Sequence, residues 1–239
     1  MTDPADRAVA LVTGARTGIG RHLAEHLIQR GYLVVGCSRE RADWDAEGFT
    51  HVRADVTDET QVGALVREIR KKHGRLDAVI NNAGAASMNH VLLTETNTVR
   101  RVMDTNVLGT FLVSREGAKL MRRRRYGRIV NLGSAVVPLR LAGEAVYVAS
   151  KAAVVSLTQV MARELAEFGI TVNVVGPGPT ATGMLRGVPK DKIDRVVGLL
   201  PAKRLTTYED VANVVDFFLR PESGAITGQV IYLGGVPNS

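Results

Sequence analysis

Two apolar periods alternate along the chain. Short β-rich runs recur over 8–13, 32–37, 51–54, 78–81, 128–132, 171–175 and 229–233, and each reads as a β-strand. Between most of them lie stretches with the three-to-four-residue spacing of an amphipathic helix: 18–30, 59–73, a long one over 106–125, 145–168 and 208–219. Strand and helix in alternation predict parallel strands joined by right-handed helical crossovers. The expected fold class is α/β: one doubly wound parallel sheet of about seven strands with helices on both faces. One segment breaks the rhythm. Gly and Pro cluster over 177–203 around a short helix, which predicts a substrate lid with Met184, Leu185, Val188 and Leu199 on an apolar wall, though all four could equally be core or interface residues.

Composition narrows the class. A chain of 239 residues with 45% hydrophobic content can bury the core of a single α/β domain, and no linker, repeat or low-complexity stretch divides it. The longest apolar runs read as too short and too interrupted to cross a bilayer, so no membrane partner is expected. The first seven residues lack a basic segment followed by an apolar one, which predicts a cytoplasmic protein. The single cysteine, Cys37, permits no internal disulfide and no multi-cysteine metal site, and it reads as a small core residue. No metal is expected.

A net charge of +7 raises the question of a polyanionic partner. Much of the charge is local, in Arg122-Arg123-Arg124-Arg125 at the end of a helical stretch, where basic side chains complement the helix dipole. The run reads as a solvated helix end, with docking of an acidic carrier protein or a phosphorylated substrate as the alternative. Nucleic acid is disfavoured, because aromatics make up only 5% of the chain and none interleave with the arginines.

Candidate chemistry lies in two places. The first strand runs into Thr13-Gly14-Ala15-Arg16-Thr17-Gly18-Ile19-Gly20, and a helix begins within that turn. Gly14, Gly18 and Gly20 permit a tight turn and close backbone approach, and the helix start offers free N–H groups to a pyrophosphate. The fold expected is therefore Rossmann-type. The second place is Tyr147 and Lys151, four apart on one helical face, where an ammonium can lower the pKa of a phenol. Ser134 lies thirteen residues before Tyr147 at the end of an apolar run, and Asn106 lies earlier still in a helical stretch.

In these elements the chain resembles the short-chain dehydrogenase/reductase family over nearly its whole length, and most closely its 3-oxoacyl-carrier-protein reductase-like branch. The family's T-G-x-x-x-G-x-G turn corresponds to Thr13 to Gly20, its acidic adenine contact to Asp55-Val56 and its N-N-A-G element to Asn81-Asn82-Ala83-Gly84. Its catalytic tetrad maps onto Asn106, Ser134, Tyr147 and Lys151. Its P-G-x-x-x-T element over the nicotinamide maps onto Pro177, Gly178, Thr180 and Thr182. The resemblance implies that Tyr147 exchanges a proton with the substrate oxygen while hydride passes to or from the nicotinamide. Lys151 would lower the phenol pKa and hold the ribose, Ser134 would stabilise the substrate oxygen, and Asn106 would position a water for proton refilling. It also implies a homotetramer or homodimer built on the helices of Asn106 and Tyr147. The small residues Ala145, Val148, Ala149, Ala152, Ala153 and Ser156 suit close helix packing there, or packing on the sheet.

Cofactor choice reads at the end of the second strand. Ser38 stands where the family's NAD enzymes carry an acid, and Arg39 follows it; a guanidinium pairs with a 2′-phosphate that a carboxylate would repel. NADP(H) is expected over NAD(H), with Arg16 as a second phosphate contact. The expected activity is NADPH-dependent reduction of a ketone, a 3-oxoacyl thioester or a generic carbonyl compound. The alternatives are an NAD-dependent alcohol dehydrogenase running oxidatively and a non-catalytic dinucleotide-binding protein. The partners expected are a small carbonyl or alcohol substrate and, as an alternative, an acyl carrier protein. Phe168 stands where the branch often carries a second docking base.

Overall fold

The computed structural model describes residues 7–180 and 190–236. All seven predicted strands form: β1 (Val9–Thr13), β2 (Leu33–Ser38), β3 (Phe49–Arg53), β4 (Ala78–Asn81), β5 (Gly127–Leu132), β6 (Ile170–Gly176) and β7 (Val230–Tyr232). They make one parallel sheet in the order β3-β2-β1-β4-β5-β6-β7. Winding proceeds outward in both directions from β1 and β4, and the reversal between them opens a crevice at the carboxyl ends of the strands.

The inner strands read as largely apolar runs because both faces of the sheet are covered there, while the edge strands β3 and β7 are only partly buried. Val9 and Leu11 of β1 point into one core with Val79 and Ile129, beneath α2 (Glu59–His73), α4 (Gly109–Met121) and α6 (Ala145–Leu165). Ala10 and Val12 point into the other with Ile80 and Val130, beneath α1 (Gly18–Gln29) and α8 (Tyr208–Leu219). Local chemistry sets the helix ends. Asp58 caps α2 by accepting from the Thr60 and Gln61 amides, Gly74 closes it in the left-handed conformation, and Thr207 with Asp210 forms a capping box on α8.

The long helix predicted over 106–125 departs from expectation. Helix begins at α3 (Thr96–Met103), widens into a π-turn at Asp104–Leu108, resumes as α4, and tightens into a 3-10 turn at Arg122–Arg124. The polar sequence of α3 hides its start, since Val102 is its one buried residue. Two further helices flank the site, a short α5 (Val136–Leu139) just after Ser134 and α7 (Lys190–Leu199), which realises the short helix expected within 177–203.

The view that no apolar run could span a bilayer needs correction. Ala145–Phe168, 24 residues, is long and apolar enough by length and composition. It lies against β6 and buries Lys151, Val154 and Thr158, while Ala145, Ala149, Ala152 and Ser156 face away from the sheet. Four of the six small residues thus face outward, while Val148 and Ala153 are partly buried.

Candidate active site

The carboxyl end of β1 feeds the glycine-rich turn, and Gly14 and Gly18 both take positive φ there, 66° and 61°. A methyl group at Gly14 would come within 2.8 Å of the Asn82 side chain, and one at Gly20 within 2.3 Å of the Gly14 carbonyl oxygen. Glycine at these two positions is therefore a packing requirement. At Gly18 an added methyl would meet nothing, because that residue faces an open cleft. Thr13 and Asn82 lock the turn: the Thr13 hydroxyl accepts from the Asn82 and Ala83 amides, and Asn82 Nδ2 donates to the Thr13 carbonyl at 2.9 Å.

The cleft has a volume of about 640 Å³ and runs from Arg16 and Arg39 at one end to Asn82, Ala83 and Gly84 at the other. Unlike α2 and α8, α1 has no side-chain cap, as the Thr17 side chain makes no capping hydrogen bond. Free amides at the start of a 12-residue helix beside open space suit a bound phosphate. The residues present thus fit a dinucleotide. Thr17, Gly18, Ile19, Ser38, Asp55 and Val56 line the cleft as expected.

Three expected contacts do not reach it. Ala15 is fully buried under the turn, and its amide donates to the Cys37 carbonyl. Gly20 serves packing, for the reason just given. Asn81 points into the protein, where its Nδ2 donates to Ser114 Oγ and Asn131 Oδ1, both at 2.8 Å. Asn131 Nδ2 in turn donates to Thr158, so this buried chain ties β4 and β5 to α4 and α6. Polar side chains in a dry interior need such partners, and a strand pattern cannot show which face Asn81 takes.

At the phosphate-selecting end, the Ser38 hydroxyl donates to the Glu40 carbonyl and meets His51 Nε2 at 2.7 Å. Arg16 pairs with Glu40 at 3.1 Å. Arg39 lines the cleft, and its guanidinium has no ion-pair partner among the described residues.

A second cavity of about 180 Å³ adjoins the first and shares Ile19, Asn82, Gly84 and Ala86 with it. Ser134, Tyr147 and Lys151 stand on its wall, with Pro177, Gly178 and Thr180 across from them. Thr182, together with Met184, Leu185 and Val188, lies outside the described residues. Leu199 is 53% exposed and turns away from the cavity; Ile193 and Val196 of the same helix take the wall position instead.

Ser134, 8% exposed, follows β5 directly and shares a hydrogen bond with Tyr147. Lys151 is 5% exposed; its Nζ donates to the Leu132 carbonyl at 2.7 Å and lies 5.9 Å from the centre of the Tyr147 ring. Burial brings the Lys151 ammonium down to about 8. The expected lowering of the phenol pKa by Lys151 is not what dominates here. Burial pushes Tyr147 up to about 12, the nearby Glu144 carboxylate adds to the rise, and the Ser134 hydrogen bond opposes it. The phenol is therefore held protonated at neutral pH.

Asn106 sits in the π-turn, wholly buried. The Ala85 amide donates to its Oδ1 at 2.7 Å, and its Nδ2 donates to the Ala85 carbonyl and to Ser150 Oγ, both at 2.9 Å. The Ser150 hydroxyl donates onward to the Tyr147 carbonyl. With its side chain fully engaged, Asn106 fixes the 82–86 loop against the helix that carries Tyr147 and Lys151.

Sequence reasoning missed several wall residues. Ala85, Ala86, Arg101, Asp104 and Thr105 line the large cleft, and Met88, Val136, Leu141, Ile193, Val196 and Glu144 line the small one. Only Glu144 had a signal, its place three residues before Tyr147 in a helical pattern. The others come from loops and turns whose mutual approach no local pattern encodes.

A phosphate cradle at the switch point of a doubly wound sheet, opening into a pocket walled by a serine, a tyrosine and a lysine, defines a dinucleotide-dependent oxidoreductase. The family described as Enoyl-(Acyl carrier protein) reductase matches residues 14–235. The 3-oxoacyl-(acyl-carrier-protein) reductase FabG of Escherichia coli (strain K12) is 34% identical over 233 residues, 95% of this chain and 96% of that protein. Its counterpart in Staphylococcus aureus (strain Mu50) is 36% identical over 236 residues, again 95% and 96% of the two chains. Among solved structures, a variant of actinorhodin polyketide ketoreductase with NADPH superposes with a TM-score of 0.90 at 31% identity, covering 100% of both chains. The chain belongs to the short-chain dehydrogenase/reductase family.

Proposed function

We propose that this oxidoreductase reduces a ketone to a secondary alcohol with NADPH. The observation that carries the reading is the convergence of Ser134, Tyr147 and Lys151 on one wall of a small, largely apolar pocket that opens into the dinucleotide cleft through Asn82 and Gly84. A reduced nicotinamide bound in that cleft supplies the hydride. Tyr147, protonated at neutral pH, donates its hydroxyl proton to the carbonyl oxygen as that oxygen gains charge. Ser134 donates a hydrogen bond to the same oxygen and stabilises it. Lys151 holds positive charge beneath the phenol, which favours the phenolate left after transfer. Apolar walls at Val136, Leu141, Ile193 and Val196 exclude water from the transfer.

Ser38 and the unpaired Arg39 support NADP(H) over NAD(H). With Arg16 engaged by Glu40, Arg39 is the principal phosphate contact in this reading and Arg16 the secondary one. The substrate in this reading is a generic carbonyl compound or a 3-oxoacyl thioester, the latter in line with the names of the FabG relatives. An acyl carrier protein docking at Arg122–Arg124 would have to deliver its thioester to Ser134 on an extended arm. Those residues precede β5 whereas Ser134 follows it, and six residues of strand put roughly 20 Å between them. Arg125, in the left-handed conformation, already donates to the Glu167 carbonyl at 2.6 Å. A homo-oligomer suits the outward face of α6 and the exposed Leu108, Phe111 and Val160.

The test is oxidation of NADPH and of NADH with acetoacetyl and crotonyl thioesters and simple ketones, alongside Tyr147→Phe. Turnover of the oxo compounds with NADPH, lost in Tyr147→Phe while NADPH still binds, supports the reading. Turnover of the crotonyl thioester alone would make the chain an enoyl reductase, and faster turnover with NADH would reverse the cofactor preference.

A further inference from the structure

The small pocket carries one charged group that the reduction does not use. Glu144 stands immediately before α6, three residues from Tyr147, and lines the pocket beside it. Its side chain does not cap the helix and has no ion pair or hydrogen bond among the described residues. The facing wall is apolar, formed by Met88, Val136, Leu141, Ile193 and Val196. Among the described residues the one cation on the wall, Lys151, donates to the Leu132 carbonyl. Burial holds the Glu144 carboxyl above the usual carboxylate range, and its charge is felt at the Tyr147 phenol.

A partly buried carboxylate without a partner is unfavourable, and what enters the pocket decides whether that improves or worsens. A ligand that offers a hydrogen-bond donor satisfies it. A ligand that brings a second negative charge meets repulsion in a medium that screens poorly. We propose that Glu144 determines substrate specificity: the ketone this pocket accepts carries a hydroxyl, amide N–H or ammonium near its carbonyl, and free oxo acids are rejected. Residues three apart on a helix lie about 5–6 Å from each other, so the donor belongs within a few bonds of the reacting carbon. This inference rests on the reductase reading of the same pocket and names its substrate class.

The test compares wild type with Glu144→Gln, which keeps the shape and removes the charge. Three matched ligands are used: an acetoacetate ester, free acetoacetate, and an analogue of the ester carrying a hydroxyl next to the ketone. kcat/KM is measured for each, and binding of each to the protein with NADPH is followed separately by calorimetry. Wild type is expected to favour the hydroxylated ketone over the free acid by roughly tenfold or more, the scale of one like-charge contact in a poorly screened site. That ratio should collapse toward one in Glu144→Gln. Glu144, Tyr147 and Lys151 are the ionisable groups on this wall among the described residues, so wild-type discrimination should also grow as pH rises through the Glu144 range, and the variant's should not. A ratio unchanged in the variant, or wild type that takes the acid as well as the other two, overturns the proposal. Charge-blind turnover removes the filter and leaves the reductase reading standing. Binding that discriminates by charge, without turnover of any ketone, keeps the filter and removes that reading.

Discussion

Replacing Lys151 with methionine should make the protein more stable at neutral pH. Its ammonium is 5% exposed, and burial brings its pKa from the ordinary 10.5 down to about 8. Keeping it charged in the folded state at pH 7 costs about 3 kcal/mol at 1.4 kcal/mol per unit. The sign follows from the direction of the shift. Below pH 8 the amine is protonated in both states and the whole cost is present. As pH climbs from 8 to 10.5 the folded state releases its proton first, so stability from this group rises. Methionine removes the cost but leaves the Leu132 carbonyl without its 2.7 Å donor, a loss of about 1 kcal/mol. The net gain at pH 7 is about 2 kcal/mol, or about 4–8 °C in Tm for a chain of this size. Denaturant unfolding of the cofactor-free proteins, measured from pH 7 to 10, checks it. The difference between the two proteins is the quantity to follow, because Cys37 acts in the opposite direction: its thiol, pushed up to about 12, stays protonated in the fold while the unfolded thiol ionises above pH 9. The gap should close by about pH 10. A gap that does not change with pH, or a variant less stable at pH 7, would refute burial as the source of the Lys151 shift.

Arg39→Ala should raise the KM for NADPH by about 10–100-fold, the worth of a charged hydrogen bond, and leave NADH nearly unchanged; equal effects on both would sink the assignment. Asn106→Ala strips partners from the Ala85 amide and the Ser150 hydroxyl, so unfolding free energy should fall by about 2–4 kcal/mol, and a loss under about 1 kcal/mol would show that water replaces the carboxamide. Gly20→Ala places a methyl 2.3 Å from the Gly14 carbonyl oxygen, and NADPH binding measured by calorimetry should weaken at least ~10-fold as the turn is forced apart. Binding equal to wild type would mean that the turn shifts without cost.

Much of the fold was legible in the sequence because a strand buried on both faces writes a largely apolar run, as β1, β4, β5 and β6 do. Tyr147 and Lys151 were legible as a pair because four residues make about one turn, and the glycine turn because close approach requires glycine. What one-dimensional spacing cannot carry is which face a polar side chain takes. Asn81 sits beside Asn82 in the chain, yet one closes a buried network and the other holds the cofactor turn.

Tertiary structure also decided the electrostatics. Spacing put an ammonium near a phenol and predicted a lowered tyrosine pKa, but burial of both groups outweighs their attraction and moves Tyr147 upward and Lys151 downward. Glu144 was a helix-start residue until the walls from four other segments closed around it. The sequence by itself determined the strands, their order and the candidate site side chains, because those follow from local periodicity and residue chemistry. Solvent exposure, charge state and the substrate wall depend on segments distant in the chain, and only packing brings those together.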